Sequence, residues 1–210
     1  MLLSYQLMKT GIFLLLTFLL FTKFTAFGQG NWELKKKGEG VEVYTRRAAV
    51  GNIKEIRVLC QLDATEAQFI NMLKDIPGYS EWVFSNKKSY ILKTVAPDKI
   101  IYYTQCKLPW PIKDRDLITE LNIEPSPQVL NVTVKCLPQY LPKNTDYIRV
   151  PYSLAKWKVT LMADNKLNVD YTFSVDPGGS IPSWILNATM AIGPYNTFVK
   201  LKDLIKVRKY

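Results

Sequence analysis

The sequence predicts an α+β domain in which a curved antiparallel sheet wraps around one long C-terminal helix. Three observations carry that prediction. Between about residues 41 and 175 the chain is mostly period-two segments separated by turn residues. A single helical stretch interrupts them early. From about 181 to 208, apolar residues recur at three- and four-residue spacing along one stripe. No repeat, low-complexity tract or linker divides the chain, so one domain is expected.

Residues 1–28 read as a signal peptide rather than part of the fold. Lys9 supplies a basic start, Gly11 to Phe21 an apolar core of 11 residues, and Ala26-Phe27-Gly28 the small residues of a cleavage site before Gln29. Lys23 interrupts the apolar run short of the roughly 20 residues a membrane-spanning helix needs. An uncleaved N-terminal anchor is the alternative. The domain then covers 29–210.

A short turn around Trp32-Glu33-Leu34 opens it. Val41 to Arg46 alternates as a half-buried strand does, and Ile53 to Leu62 repeats the pattern with Ile56, Val58 and Cys60 on one side. Asp63 and Glu66 have the spacing of a capping box, starting a helix through Phe69, Ile70, Met72 and Leu73 that stops before Pro77-Gly78. A short helix carrying Tyr79 and Trp82 follows. Strands are then expected over Ser89–Val95, Lys99–Lys107, Leu117–Ile123, Val129–Leu137, Tyr147–Leu161 with a bend at Pro151, and Lys166–Val175. Short connections between them favour an antiparallel meander. Asp176-Pro177-Gly178-Gly179 is a turn, Ser180 the expected N-cap of the last helix, and Pro182 sits in its first turn. The stripe runs through Trp184, Ala188, Ile192, Tyr195, Phe198, Leu201 and Ile205, with Gly193-Pro194 expected to kink or loosen it. One helix cannot fill the concave face of such a sheet, so an internal cavity is expected.

Composition excludes several chemistries. The 210 residues contain no histidine, which removes Ser-His-Asp and Cys-His catalysis and every zinc site built on imidazole. Cys60, Cys106 and Cys136 fit no metal spacing, and no cofactor is implied. A bridge between Cys106 and Cys136 is conceivable; buried free thiols are the simpler reading. Lysine and arginine number 28 against 18 acidic residues. Lys200, Lys202, Lys206, Arg208 and Lys209 cluster on the last helix and Lys87-Lys88 on a loop, either as a solvated face or as a surface attracted to anionic membranes. Nucleic acid is rejected as a partner because no recognition motif accompanies the charge and export opposes it.

Several motifs in order resemble the START domain, the steroidogenic-acute-regulatory-related lipid transfer family. They are Trp32, Val43-Tyr44-Thr45-Arg46, Trp82, Pro109-Trp110-Pro111 through Arg115-Asp116, Trp157, and Asp176-Pro177-Gly178-Gly179 through Ile181-Pro182 and Trp184. The resemblance covers about Asn31 to the C-terminus. It implies a helix-grip (START/Bet v 1-like) fold whose C-terminal helix closes a hydrophobic tunnel for one lipid, with Pro109–Lys113 as its cover. Known members bind sterols, phosphatidylcholine, ceramide or similar molecules without covalent chemistry. Some carry a buried acid–base pair on the strands flanking the Pro-Trp-Pro loop. The aligned positions here are Tyr102 and Leu121, so that pair is absent.

The function implied is non-catalytic binding and transfer of a lipid or other hydrophobic ligand by a monomer, in transient contact with an anionic membrane surface. The family has bacterial members, so an exported one resembles a periplasmic protein of a Gram-negative bacterium, and that location is the expectation. Carriage means hiding the lipid tail, because at about 0.8 kcal/mol per CH₂ a 16-carbon chain exposed to water costs on the order of 13 kcal/mol. The inward-facing set on this reading is Tyr102, Thr104 and Cys106, then Leu117, Thr119 and Leu121, then Tyr171 and Phe173, with Trp184, Ala188, Ile192 and Tyr195 on the helix. Pattern alone would make these an ordinary core. Arg115 and Asp116 read as a brace for the loop after Pro111, pairing with each other or with backbone, with a phosphate headgroup as a second role for Arg115. The rival reading is an enzyme of the wider helix-grip group, a cyclase, aromatase or hydrolase, acting in the same cavity. It lacks a histidine and a candidate base.

Overall fold

The computed structural model describes residues 31–47 and 54–208, without the side chains at 47, 54, 183, 184 and 186–188. The expected signal peptide lies outside the described residues, as does Ile53, the expected start of the second strand. The elements are β1 (Glu33–Gly38), β2 (Val41–Arg47), β3 (Lys54–Asp63), α1 (Glu66–Lys74), a 3₁₀ turn (Ile76–Gly78) and α2 (Tyr79–Trp82). They continue with β4 (Asn86–Ala96), β5 (Lys99–Cys106), β6 (Arg115–Glu124), β7 (Val129–Cys136), β8 (Ile148–Arg149), β9 (Tyr152–Met162), β10 (Lys166–Asp176) and α3 (Ser183–Val207).

The strands form one sheet in the order β1-β2-β3-β10-β9-β7-β6-β5-β4, and every neighbouring pair in that path is antiparallel. The meander expected for the middle of the chain is present, but β3 joins β10, so the two halves of the chain meet along Val58 opposite Tyr171. The register shifts fall at the two edges of the sheet, three between β4 and β5 and one between β1 and β2. Bulges and the lysines of β1 (Lys35, Lys36, Lys37) make both edges poor templates for another chain. α3 lies across β1, β2 and β3 and against α1 and α2.

Four local expectations need correction. Residues 33–38 are a strand, not a turn. The three consecutive lysines hide any alternation, while the turn that makes the hairpin is Glu39-Gly40, both with positive φ (48° and 68°). The N-cap of α1 is Thr65: its hydroxyl accepts from the Gln68 amide (3.2 Å) and Gln68 Oε1 accepts from the Thr65 amide (2.9 Å). Asp63 stays in β3 and pairs with Lys206 at 3.0 Å. The strand expected over 147–161 is split at Val150-Pro151, and β8 crosses to pair in parallel with β6. α3 is preceded by Pro182 with no side-chain cap, so Ser180 does not start it. The helix continues through Gly193-Pro194. Gly193 leaves room for Phe84, whose ring lies 3.0 Å from where a side chain would begin, and the Phe84 amide donates to Thr197 Oγ1 at 2.9 Å.

Candidate ligand-binding site

Directly opposed residues in antiparallel strands share a face, so the register defines the inner wall as rows across the sheet. One row is Val41, Cys60, Val169, Val159 and Leu130; the next is Val43, Val58, Tyr171, Trp157, Val132 and Ile123. A third holds Ile56, Phe173, Ala155, Val134, Leu121 and Ile100. Thr119 and Tyr102 are opposed, then Leu117 and Thr104, then Arg115 and Cys106. The eight sheet residues expected to face inward, Tyr102, Thr104, Cys106, Leu117, Thr119, Leu121, Tyr171 and Phe173, therefore lie on one face.

Burial along that wall is graded. The first two rows are almost entirely buried beneath α1 and the second half of α3, where Phe69, Met72, Phe198, Leu201 and Ile205 have essentially no exposure. Trp157 is the centre of this end, its ring 5.6 Å from Phe69, 5.1 Å from Phe198 and 4.5 Å from Tyr171. Further along, Phe173, Val134, Cys136, Leu117 and Cys106 are only half-buried. This is the end towards Arg115 and the Gly178 turn that leads into α3.

Two of the partly accessible groups are nevertheless surrounded. Burial pushes the Cys106 thiol up to about 12, reinforced by Asp114 and Asp116. It raises the Tyr171 hydroxyl well above the ordinary phenol range, with a smaller contribution from Tyr102. Tyr102, buried and hydrogen-bonded to Thr119, is raised for the same reason. Two depressions, of about 550 Å³ around Lys37, Leu59 and Asp170 and about 260 Å³ around Asn131, Lys156 and Thr172, involve mainly outward-facing positions.

The mouth is made by two loops that Arg115 ties together. Its Nη2 donates to the Gly178 carbonyl (2.9 Å), its Nε to Pro177 (3.3 Å) and its Nη1 to Lys113. The side chain is 2% exposed, and desolvation lowers its pKa, since carbonyls replace a carboxylate as partners. Asp116 is not its partner. Adjacent residues of a strand point to opposite faces, and Asp116 meets Arg149 through two 2.8 Å bonds on the outer side. Arg149 also donates to the carbonyls of Pro138, Leu141 and Pro142, holding that loop over a small outer core of Ile101, Tyr103 and Ile118. Arg149 does not stand out in the sequence; the partner it serves lies 33 residues away.

On α3 the arrangement differs from the expected stripe. Ile192 is 46% exposed, while Ile185 and Met190 are buried. Tyr195 leans on β1, its hydroxyl filling the space beside Gly38 and Lys36 lying 4.5 Å from its ring centre. The side chains of Trp184 and Ala188 lie outside those described. Cys106 and Cys136 flank β6 at Arg115 and Thr119, on opposite sides. That separates them by roughly 13 Å along the strand and two strand spacings across it, beyond disulfide reach. All three cysteines are free.

A curved antiparallel sheet gripping a C-terminal helix, with an inner wall sealed at one end and open at the other, defines the helix-grip class. The START domain profile matches residues 21–200, and the chain belongs to that family. An uncharacterized protein of Pseudomonas aeruginosa is 28% identical over 179 residues, spanning 85% of this chain and 88% of that protein. The phosphatidylcholine transfer protein of Bos taurus is 27% identical over 190 residues, spanning 86% of this chain and 85% of its own length. The crystal structure of a STAR-related lipid transfer protein from Xanthomonas axonopodis superposes with a TM-score of 0.77 at 28% identity, covering 84% of this chain and 99% of that one.

Proposed function

We propose that the protein carries one lipid in a recess at the Arg115 end of the inner wall and exchanges it at a membrane, without covalent chemistry. The observation that carries this reading is the graded inner wall, where Phe173, Leu117 and Cys106 keep accessible surface while the rows at the other end keep almost none. The groups facing it are phenols, hydroxyls and thiols. Burial holds Tyr102, Tyr171 and Cys106 in their neutral forms, which suits an apolar guest better than proton transfer.

Membrane contact follows from the rim. Trp110 stands 92% exposed between two prolines; Phe84, 41% exposed, packs on Gly193, and Ile192 before that glycine is 46% exposed. Lys87, Lys88 and Lys107 are exposed near them, and the Lys107 amide bonds the Ser85 carbonyl. An exposed indole with lysines around it is the composition that settles at a lipid interface. The basic end of α3 serves otherwise: Lys202 donates to the Glu39 carbonyl, Lys206 pairs with Asp63, and Arg208 with Asp75 and Glu81. Export to the periplasm and a monomeric state complete the proposal.

The test is native mass spectrometry of protein purified from its host, followed by transfer of a fluorescent lipid between vesicles. One bound lipid per chain is expected, with transfer several-fold slower in Trp110→Ala at unchanged stability. A protein that leaves its host empty and moves no lipid between vesicles sinks the reading.

A further inference from the structure

The edge strand β4 shows solvent an apolar surface. Tyr90 is 40% exposed, Ile91 43% and Val95 47%. Tyr90 is opposed to Tyr103 on the outer side of the sheet and Ile91 to Tyr102 on the inner side, so apolar area wraps both sides of the edge. Lys87, Lys88 and Lys93 stand exposed among these residues, with the Lys88 ammonium 5.5 Å from the Tyr90 ring centre. Neither β4 nor β5 contains a carboxylate. Asp98, in the turn between them, pairs with Lys74 at 2.8 Å. The edge is therefore apolar and cationic at once.

Two kinds of partner could cover such an edge, and its backbone discriminates between them. Another strand needs an even row of free amides and carbonyls to pair with. The pairing of β4 with β5 shifts register three times, skipping Lys87, Leu92 and Val95, and each shift bends the strand and breaks that row. A lipid surface requires no register. It takes up apolar side chains, places phenol rings at the headgroup level and attracts lysines when its lipids are anionic. Continuity favours it as well. β4 begins two residues after the exposed Phe84, and the Ser85 carbonyl accepts from the Lys107 amide, three residues before Trp110.

We infer that the β4 edge is a docking surface for an anionic bilayer, so that the sheet rests edge-on against the membrane instead of touching it at the Trp110 loop alone. The inference rests on the membrane exchange proposed above and adds the face that makes the contact. From Lys87 to Val95 that face runs roughly 25 Å along the strand. The unpaired amides and carbonyls of an edge have no partner inside hydrocarbon. The strand therefore lies among the headgroups, where Lys87, Lys88 and Lys93 meet lipid phosphates, and the side chains of Ile91 and Val95 reach towards the acyl chains.

The experiment is flotation of the full chain with vesicles of phosphatidylethanolamine and phosphatidylglycerol at low salt. Val95→Glu is expected to weaken association about fivefold or more, and Lys93→Gln to weaken it less. Val95→Leu should leave it unchanged. Met162→Glu places the same charge at a side chain that is also 47% exposed, but on β9, away from this edge, and should change little. Thermal melting identifies any variant that fails to fold, and the weaker Lys93→Gln effect then carries the test. If Val95→Glu and Lys93→Gln float like the unaltered protein while Trp110→Ala does not, the docking edge is overturned and membrane exchange stands. Equal losses in Val95→Glu and Met162→Glu would overturn it too, by showing a general effect of charge. So would light scattering that finds a dimer split by Val95→Glu, because the edge would then cover a second copy. If the unaltered protein neither floats nor moves lipid between vesicles, the exchange reading falls and takes this one with it.

Discussion

The two ends of the inner wall are built from the same strands under the same alternation, yet they do different things. At the sealed end, Val43, Val58, Leu130 and Val159 meet Phe69, Phe198, Leu201 and Ile205 with no accessible surface left. There α3 is also pinned at its end by Lys206 and Arg208 on acidic partners. At the open end, Phe173, Val134 and Leu117 remain half-buried, and α3 begins without a side-chain cap behind a Gly178-Gly179 turn. Stability is concentrated where packing is complete. The part able to admit a guest is the part that leaves apolar area uncovered, which a lipid tail would cover at about 25 cal/mol per Å².

The largest effect that separates the ends is a pair of truncations. Phe198→Ala removes a fully buried ring in contact with Trp157 and Tyr171 and should destabilise the fold by about 3–5 kcal/mol. Phe173→Ala removes a half-buried ring stacked on Tyr171 at 6.3 Å. It should cost roughly 1–2 kcal/mol, because part of that ring already meets open space. Urea unfolding of both variants makes the measurement. Equal losses would mean the two ends are equally packed and that no recess exists.

How much of this was legible in the sequence follows the same division. Period-two alternation located most strands, and turn residues located their breaks. On β5, however, both parities are apolar: Tyr102 and Thr104 face in, while Ile101 and Tyr103 face out beneath the loop that Arg149 holds. Alternation could not choose between them, and the family resemblance did. The first half of α3 is apolar nearly all round, so spacing pointed to Ile192 where Met190 and Ile185 are the buried residues. The consecutive lysines of β1 show no alternation, and the hydroxyl of Ser180 is a capping signal two residues before the residue that precedes α3, Pro182.

The strap at the mouth supplies a smaller effect. Arg115→Met removes the donors that join the carbonyls of Lys113, Pro177 and Gly178. These carbonyls sit at loops that water can reach, and the variant also relieves the burial of a guanidinium, so a loss of only about 1–2 kcal/mol is expected. Dissociation of bound lipid should accelerate several-fold in a stopped-flow displacement assay. Unchanged stability together with an unchanged off-rate would show that the strap holds nothing.

The smallest effect compares a thiol at each end. Burial pushes both Cys60, in a sealed row, and Cys106, near the mouth, up to about 12 from an ordinary value of 9.0. The nearby Lys202 ammonium opposes the shift at Cys60, whereas Asp114 and Asp116 reinforce it at Cys106. The unfolded chain therefore releases these protons at lower pH than the folded one. Stability is fully present below about pH 9 and falls as pH rises from there through 12. At pH 10 each thiol accounts for a loss of about 1 kcal/mol relative to pH 8. Denaturant midpoints of Cys60→Ala and Cys106→Ala should each fall less steeply over that interval than those of the unaltered protein. Ligand adds the distinction between the ends. A bound lipid should slow maleimide modification of Cys106 and leave that of Cys60 unchanged, because only Cys106 borders the space the lipid would fill; protection of both thiols alike would instead mark a global tightening of the fold.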